Sequence, residues 1–476
     1  MALRISAPVV AGREQTPRRG WAMAGLSAAM FVVILDVSMV NLAGPTIREG
    51  LGLTSTELSI VVDSYLVAFA GLLLLGGRIA DVLGGRRVFF AGLLIYIAAS
   101  ILCALAPSGE VLIAGRALQG IGAAVVTPSA LSIVVGLYPD SRERARALGI
   151  WGAVAGAGSL LGVVLGGVVT QILGWQSVFW IPVPISVAVG IVVLLFVPPT
   201  HPQPGRFDAP GALTITLGVS AVALGMISAP ENGWGSPLTL AALTIGIILL
   251  GAFVIVEKNS QQPLVPLGHL RKSNIVVANS VMLLVGGATV SMFFFLPQFQ
   301  QGELGMTPAL TGLSQLAIAI MIIVASLVAP ALARLLGSTR ALSMALLLLV
   351  GGLLWLAFDQ TASGFSVSLL GAFLLIGIGI GLSGVYATTI AVRDGVAGET
   401  GLLSGLINAS RQLGGAIGLA ALVGVATISG TPEGGIDFTI AFLGLAAFAT
   451  AAFGLSFIPT DSKHPTSAPA VDAHAH

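Results

Sequence analysis

Apolar runs of about 17–25 residues recur fourteen times along this chain, each long enough for one helix to cross the hydrocarbon of a bilayer. They fall at roughly 21–43, 57–77, 88–107, 110–136, 147–171, 177–197, 209–229, 237–256, 274–298, 308–333, 340–358, 365–390, 400–428 and 437–458. Lipid offers no partner to an open backbone N–H or C=O, so each run must satisfy its own backbone, which a helix does. The expectation is an all-α integral membrane protein. Composition agrees: 56% of the 476 residues are hydrophobic and 9% are charged, where soluble chains carry about 25% charged residues. The 62 glycines suit helices that approach one another closely. The first run follows Arg4, Arg13, Arg18 and Arg19 and is longer than the core of a signal peptide, so it is expected to remain as a span.

An even number of crossings puts both termini on one side, and charge says which. Of the 21 Lys and Arg residues, all but Arg48, Arg116 and Arg411 fall in loops or tails on the side of the N-terminus. The opposite loops carry Glu49, Glu57, Glu110, Glu231, Glu303, Asp359, Glu433 and Asp437 instead. Basic loops stay in the cytoplasm, so both termini are expected there, in a multi-pass protein of the cell (inner, cytoplasmic) membrane. Two polar breaks, the Pro-rich stretch 197–205 and the segment 257–273, divide the runs into six, two and six. The plan is a tail (1–20), an N-terminal six-helix bundle (21–200), an inserted pair (201–258), a C-terminal six-helix bundle (259–458) and a polar tail (459–476). Two six-helix halves around a shared site is a transporter architecture. Helices 7 and 8, the inserted pair, carry no charge expected to be buried and read as an accessory hairpin.

Within the run 31–43 stands one carboxylate, Asp36. An ionised Asp at the centre of a bilayer helix costs about 2.5–3.5 kcal/mol on the mild insertion scale. Such a residue marks either a functional group facing an aqueous cavity or a structural Asp held by neighbouring backbone. At about 1.5 Å per residue, Asp36, Asp63, Arg116 and Gln119 all come at similar depth, near the outer side. Burial disfavours the carboxylate and a nearby arginine favours it, so two acids and an always-charged Arg116 can form a proton site. The competing role for Arg116 is a static pair that locks the bundle.

The loop Gly77-Arg-Ile-Ala-Asp81-Val-Leu-Gly84-Gly85-Arg86-Arg87 resembles the signature between helices 2 and 3 of the major facilitator superfamily. The resemblance implies that Gly77, Asp81, Gly84, Arg86 and Arg87 form a conformational gate on the cytoplasmic side; Gly85 replaces one of the basic residues. Arg116-Ala-Leu-Gln119-Gly-Ile-Gly122, with Thr127-Pro128, is similar to the superfamily's helix-4 motif for proton transfer. Leu35-Asp36-Val37 through Asn41 to Pro45, and Asn408, Arg411 and Gln412 before Gly414-Gly415, resemble motifs of its fourteen-helix drug:proton antiporter branch. The whole chain is similar to actinomycete antibiotic exporters of the methylenomycin-resistance kind, which carry an Asp where Asp63 stands. Gly158, Gly162, Gly166 and Gly167 keep the glycine face of the antiporter motif in helix 5, but Val163 replaces its proline. Gln176 and Pro182 depart from the relatives' Arg and Asn.

The resemblance implies a proton-driven exporter of small, mostly hydrophobic compounds such as antibiotics, working by alternating access. Asp36, Asp63 and Arg116 would couple protons. Asn41, Tyr65, Gln119, Asn408, Arg411 and Gln412 would line the substrate cavity, although the last three also suit polar contacts between helices. Gln298, Gln301 and Glu303 end the ninth run at the outer side, as a solvated loop or as the guard of an outer vestibule, and Phe293 to Phe295 read as core or lipid-facing residues. The rival reading is a proton symporter importing a metabolite, which would share the acids and the loop motif.

Other classes lack their chemistry. There is no phosphate-binding glycine loop followed by Lys and Ser or Thr, and no paired-His metal motif. A single cysteine, Cys103, excludes an intramolecular disulfide and reads as a small core residue. No basic stripe points to nucleic acid. The expectation is therefore no enzyme, no metal and no cofactor beyond the proton gradient, in a monomer.

Overall fold

A computed structural model describes residues 15–138, 140–199, 208–260, 263, 272–358, 367–392, 400–428 and 436–459. Each expected apolar run coincides with helix. In order these are α1 (Gln15–Leu51), α2 (Ser55–Leu83), α3 (Gly85–Ala104), α4 (Gly109–Leu137) and α5 (Ser141–Leu173). The sixth run is broken into α6 (Ser177–Trp180) and α7 (Pro182–Phe196). Pro182 lacks an N–H to continue a helix yet suits the first helical position, which is why the departure at that residue coincides with the break. Then follow α8 (Ala209–Asn232), α9 (Pro237–Asn259) and α10 (Ser273–Gln298), a π-helical turn (Phe299–Glu303), α11 (Pro308–Leu336), α12 (Ser338–Phe358), α13 (Val367–Val392), α14 (Thr400–Ile428) and α15 (Phe438–Leu455). No strand occurs among the described residues. Among the described residues, twelve helical stretches are long and apolar enough to span a membrane, and α5 and α8 add shorter apolar stretches at 157–173 and 210–226.

Local chemistry sets the helix ends. Thr54 and Glu57 form a reciprocal capping box at the start of α2, with bonds of 3.1 Å and 2.8 Å. Ser236, Thr307 and Asp437 cap α9, α11 and α15. Gly84, the whole connection between α2 and α3, takes a left-handed φ of 93° that a side chain would resist.

The helices pack in two groups. In the first, α4 lies on α2 and α3, α1 on α5 and α7; in the second, α10 lies on α14 and α15, α13 on α11 and α12. The pair α8 and α9 packs on itself, with α8 also touching α2 and α14. Glycine registers fix directions: Gly158, Gly162 and Gly166 of α5 meet Phe31, Leu35 and Met39, so α1 and α5 run parallel. Gly115 meets Cys103 while Gly122 meets Tyr96, so α3 and α4 run opposite ways.

Calling the end where α1 begins proximal, the two groups meet tightly at the distal end. Gln301 Nε2 donates to Leu42 O at 3.1 Å, and Ala309 N donates to Gln171 Oε1 at 3.2 Å. A Cβ on Gly167 would run into Pro308 O, and one on Gly312 would stand 2.5 Å from Val163 O. These contacts shut the seam between the groups distally. Nearer the proximal end of α14, Asn408 and Gln412 are half-buried and Arg411 is exposed.

Two sequence expectations change here. Asp208 and Glu257 of the α8–α9 pair are buried, at 6% and 2% exposure, where no buried charge was expected. Asp208 caps α8 by accepting from Gly211 N at 2.8 Å, and Glu257 Oε1 also approaches Gly211. Both acids thus sit at the positive end of a helix dipole, which favours a carboxylate there. Likewise Gln298 is buried where a solvated loop was expected, Gln301 is half-buried and Glu303 is exposed as expected; Gln300, buried beside them, donates to Ser314 at 2.7 Å and accepts from Gln315 at 2.8 Å. Phe294 and Phe295 are core, as expected, packed edge to face at 5.3 Å.

Candidate functional site

The polar centre of the first group is built by glycines on α4. Gly120 and Gly122 let the helix backbone close on Tyr65 and Tyr96, where a Cβ would come within 2.5 Å and 2.7 Å. One turn earlier on the same helix, Arg116 then reaches Asp36 of α1: its Nη1 donates to Asp36 Oδ2 at 2.9 Å and to Gln119 Oε1 at 2.7 Å. Gln119 Nε2 donates to Asp36 Oδ1 at 2.9 Å and to Ser100 Oγ of α3 at 3.0 Å. The guanidinium lies over the Tyr65 ring, 4.3 Å from its centroid, a cation–π contact. Asp36 is fully buried and Arg116 and Gln119 almost so. Tyr65, Gln119 and Ser100 thus surround an ion pair inside one helix group; Tyr65 and Gln119, expected in the substrate cavity, are closed off from it. Ser100 was missed, a lone hydroxyl in the apolar run of α3 that sequence spacing does not tie to Gln119.

Asp63 does not join this cluster, although it lies at the same depth. Successive helical residues turn by about 100°, so residues two apart on a helix point nearly opposite ways. Tyr65 faces Arg116; Asp63 therefore looks away from it. It is 2% exposed, and neither carboxylate oxygen has a hydrogen-bond partner among the described residues. The expected trio resolves into a paired acid and an unpaired one.

On α14, Arg411 is exposed and donates to Asn408 Oδ1 at 3.3 Å, with Asn408 and Gln412 half-buried on the same sector. The expected polar face is present. Asn41 is half-buried on α1. In the gate loop, Gly77 is half-buried, with Pro128 3.4 Å from where a Cβ would stand, Arg86 donates to Leu194 O of α7 at 2.8 Å, and Arg87 is exposed. The Asp81 side chain lies outside the described residues. Gly85 has a packing reason to stay small: a Cβ would stand 3.1 Å from Ile133 on α4. The glycine face of α5 also divides. Gly158, Gly162 and Gly166 pack on α1 within their own group, and only Gly167 reaches α11 across the seam.

Comparison with known proteins follows the same lines. The Major Facilitator Superfamily profile matches residues 26–419. Puromycin resistance protein pur8 of Streptomyces alboniger is 36% identical over 427 residues, covering 86% of this chain and 82% of that protein. Cephamycin export protein CmcT of Amycolatopsis lactamdurans is 37% identical over 429 residues, 88% of each. A methylenomycin A resistance protein of Streptomyces coelicolor is 33% identical over 426 residues, again 88% of each. Among solved structures, the peptide transporter PepTSo superposes with a TM-score of 0.68 over 92% of this chain and 97% of its own, at 16% identity, a likeness of fold alone. The profile and the relatives span most of the chain, and together with its array of apolar helices they show a multi-pass membrane protein that belongs to the Major Facilitator Superfamily of transporters.

Proposed function

We propose that the chain is a proton-driven exporter of small, mostly hydrophobic compounds, crossing the cytoplasmic membrane fourteen times with both termini in the cytoplasm. It works by alternating access between the bundles 21–200 and 259–458, with 201–258 as an inserted pair. The proximal end is then cytoplasmic, as the basic loops require, and a state shut at the distal end faces the cytoplasm. Relatives that confer antibiotic resistance or export antibiotics support the outward direction.

The observation that carries the coupling is Asp63, buried without a hydrogen-bond partner among the described residues on the side of α2 turned away from Arg116. Shutting the distal half over an ionised carboxylate costs several kcal/mol, since nothing there replaces its water. Shutting it over the neutral acid avoids that cost. Protonation of Asp63 from outside therefore licenses closure, and the transporter turns inward only when loaded. Asp36 and Arg116 serve as a fixed counter-charge pair that shapes the bundle beside it. Arg86 and its neighbours in the gate loop act on the cytoplasmic opening. Lipophilic drug accumulation in cells carrying wild type or Asp63→Asn, with and without a protonophore, tests this. Lowered accumulation by wild type alone, reversed by the protonophore, is expected. Accumulation of a metabolite through wild type would turn the function to symport.

A further inference from the structure

Resting on the exporter reading, the charges of the transmembrane region also say which compounds suit it. Asp36 is fully buried and neutralised by Arg116, and Asp63 is closed off on the distal side. Neither is offered to a molecule entering from the proximal end. Arg411 is: it stands about 16 Å along α14, at 1.5 Å per residue, and is exposed. Ser410 bonds Asn279 of α10 at 2.8 Å, and Gly414 and Gly418 close on Leu283 and Gly287 of the same helix. Leu406 instead packs with Ala212 of α8. The sector carrying Asn408, Arg411 and Gln412 is accessible. Among the described residues no carboxylate lies within ion-pair distance of Arg411, and its guanidinium donates to the neutral Asn408 amide oxygen.

We propose that Arg411 is the anchor for an anionic group, so that the preferred substrates are lipophilic carboxylates rather than lipophilic cations. A guanidinium deep in a spanning helix with no counter-charge is costly, and a bound carboxylate supplies that charge through two parallel N–H···O bonds. Asn408 holds the fork in place. Gln412, one turn on from Asn408, offers a neutral amide to the rest of the molecule. A cation entering the same space meets Arg411 and no accessible acid.

The test uses three fluorophores on one apolar core: pyrenebutyrate, its uncharged amide and pyrenebutylamine. Binding to the full-length protein in nanodiscs of neutral lipid is followed by anisotropy, with empty nanodiscs subtracted. Wild type is expected to bind the carboxylate at least tenfold tighter than the amine, equivalent to about 1.4 kcal/mol. Arg411→Gln should weaken the carboxylate about tenfold and leave the amide within twofold, with Arg411→Lys between them. An amine bound as tightly as the carboxylate, an undetectable carboxylate, or equal loss of all three probes in Arg411→Gln would overturn the assignment. A protein that fails here yet expels drugs in a protonophore-sensitive way keeps the exporter reading; one that passes here yet ignores the protonophore keeps the anchor and loses the coupling.

Discussion

Breaking the Asp36–Arg116 pair from either side is predicted to destabilise the protein by about 3–5 kcal/mol, because each single change leaves a buried charge uncompensated. The structure orders the two cases. Asp36→Asn leaves Arg116 with Gln119 Oε1 at 2.7 Å and the Tyr65 ring at 4.3 Å, so its loss sits near about 3 kcal/mol. Arg116→Ala strips Asp36 down to Gln119 alone and opens a void under Tyr65, so its loss sits near about 5 kcal/mol. Replacing both by apolar residues of similar volume, Asp36→Leu with Arg116→Met, removes both charges together and should recover most of either loss. Equilibrium unfolding of the full chain in mixed micelles, read by tryptophan fluorescence, gives all four corners of the cycle. Single variants within about 1 kcal/mol of wild type, or a double variant equal to the sum of the singles, would refute the view that these charges hold one another in a dry site.

Two further outcomes follow from the distal seam. Gly312→Ala places a Cβ against Val163 O, a backbone atom that cannot turn aside, so the distal end should stay ajar. A cysteine substituted at Leu42, which is 1% exposed beside Gly167 and Gly312, should then react with an impermeant thiol reagent added outside, and transport should fall at least tenfold, an order-of-magnitude figure for a shift of about 1.4 kcal/mol. Gln301→Ala loses a neutral hydrogen bond to Leu42 O, about 0.5–1.5 kcal/mol, and should raise the same labelling by a smaller factor. Unchanged labelling in both would contradict closure at that end.

Much of this fold is legible in sequence because lipid leaves the backbone so few choices. Run lengths place the helices, and Pro182 marks the break in the sixth run. The candidate site is legible in depth but not in angle. Counting residues puts Asp36, Asp63 and Arg116 on one level, but which way each points depends on packing by Gly120 and Gly122, whose partners are distant in sequence. Asp63 and Tyr65 therefore face opposite ways on one helix. Buried Asp208 and Glu257 escape for a related reason: they lie at run ends, where a charge ordinarily meets water, and the start of α8 brings both to Gly211. Gln300 and Gln315 are brought together by the π-helical turn, which no residue pattern announces.

The central claim is that protons move through Asp63 as substrate leaves. Inverted vesicles carrying wild type, Asp63→Asn or Asp36→Asn, acidified inside and loaded with a pH-sensitive dye, test it directly. Adding an exported drug to wild type should alkalinise the lumen, as protons leave in exchange for drug. Asp63→Asn should fold normally, give no drug-induced pH change and still bind the drug. Full drug-driven proton movement in Asp63→Asn, or further acidification of the lumen by wild type, would contradict the account.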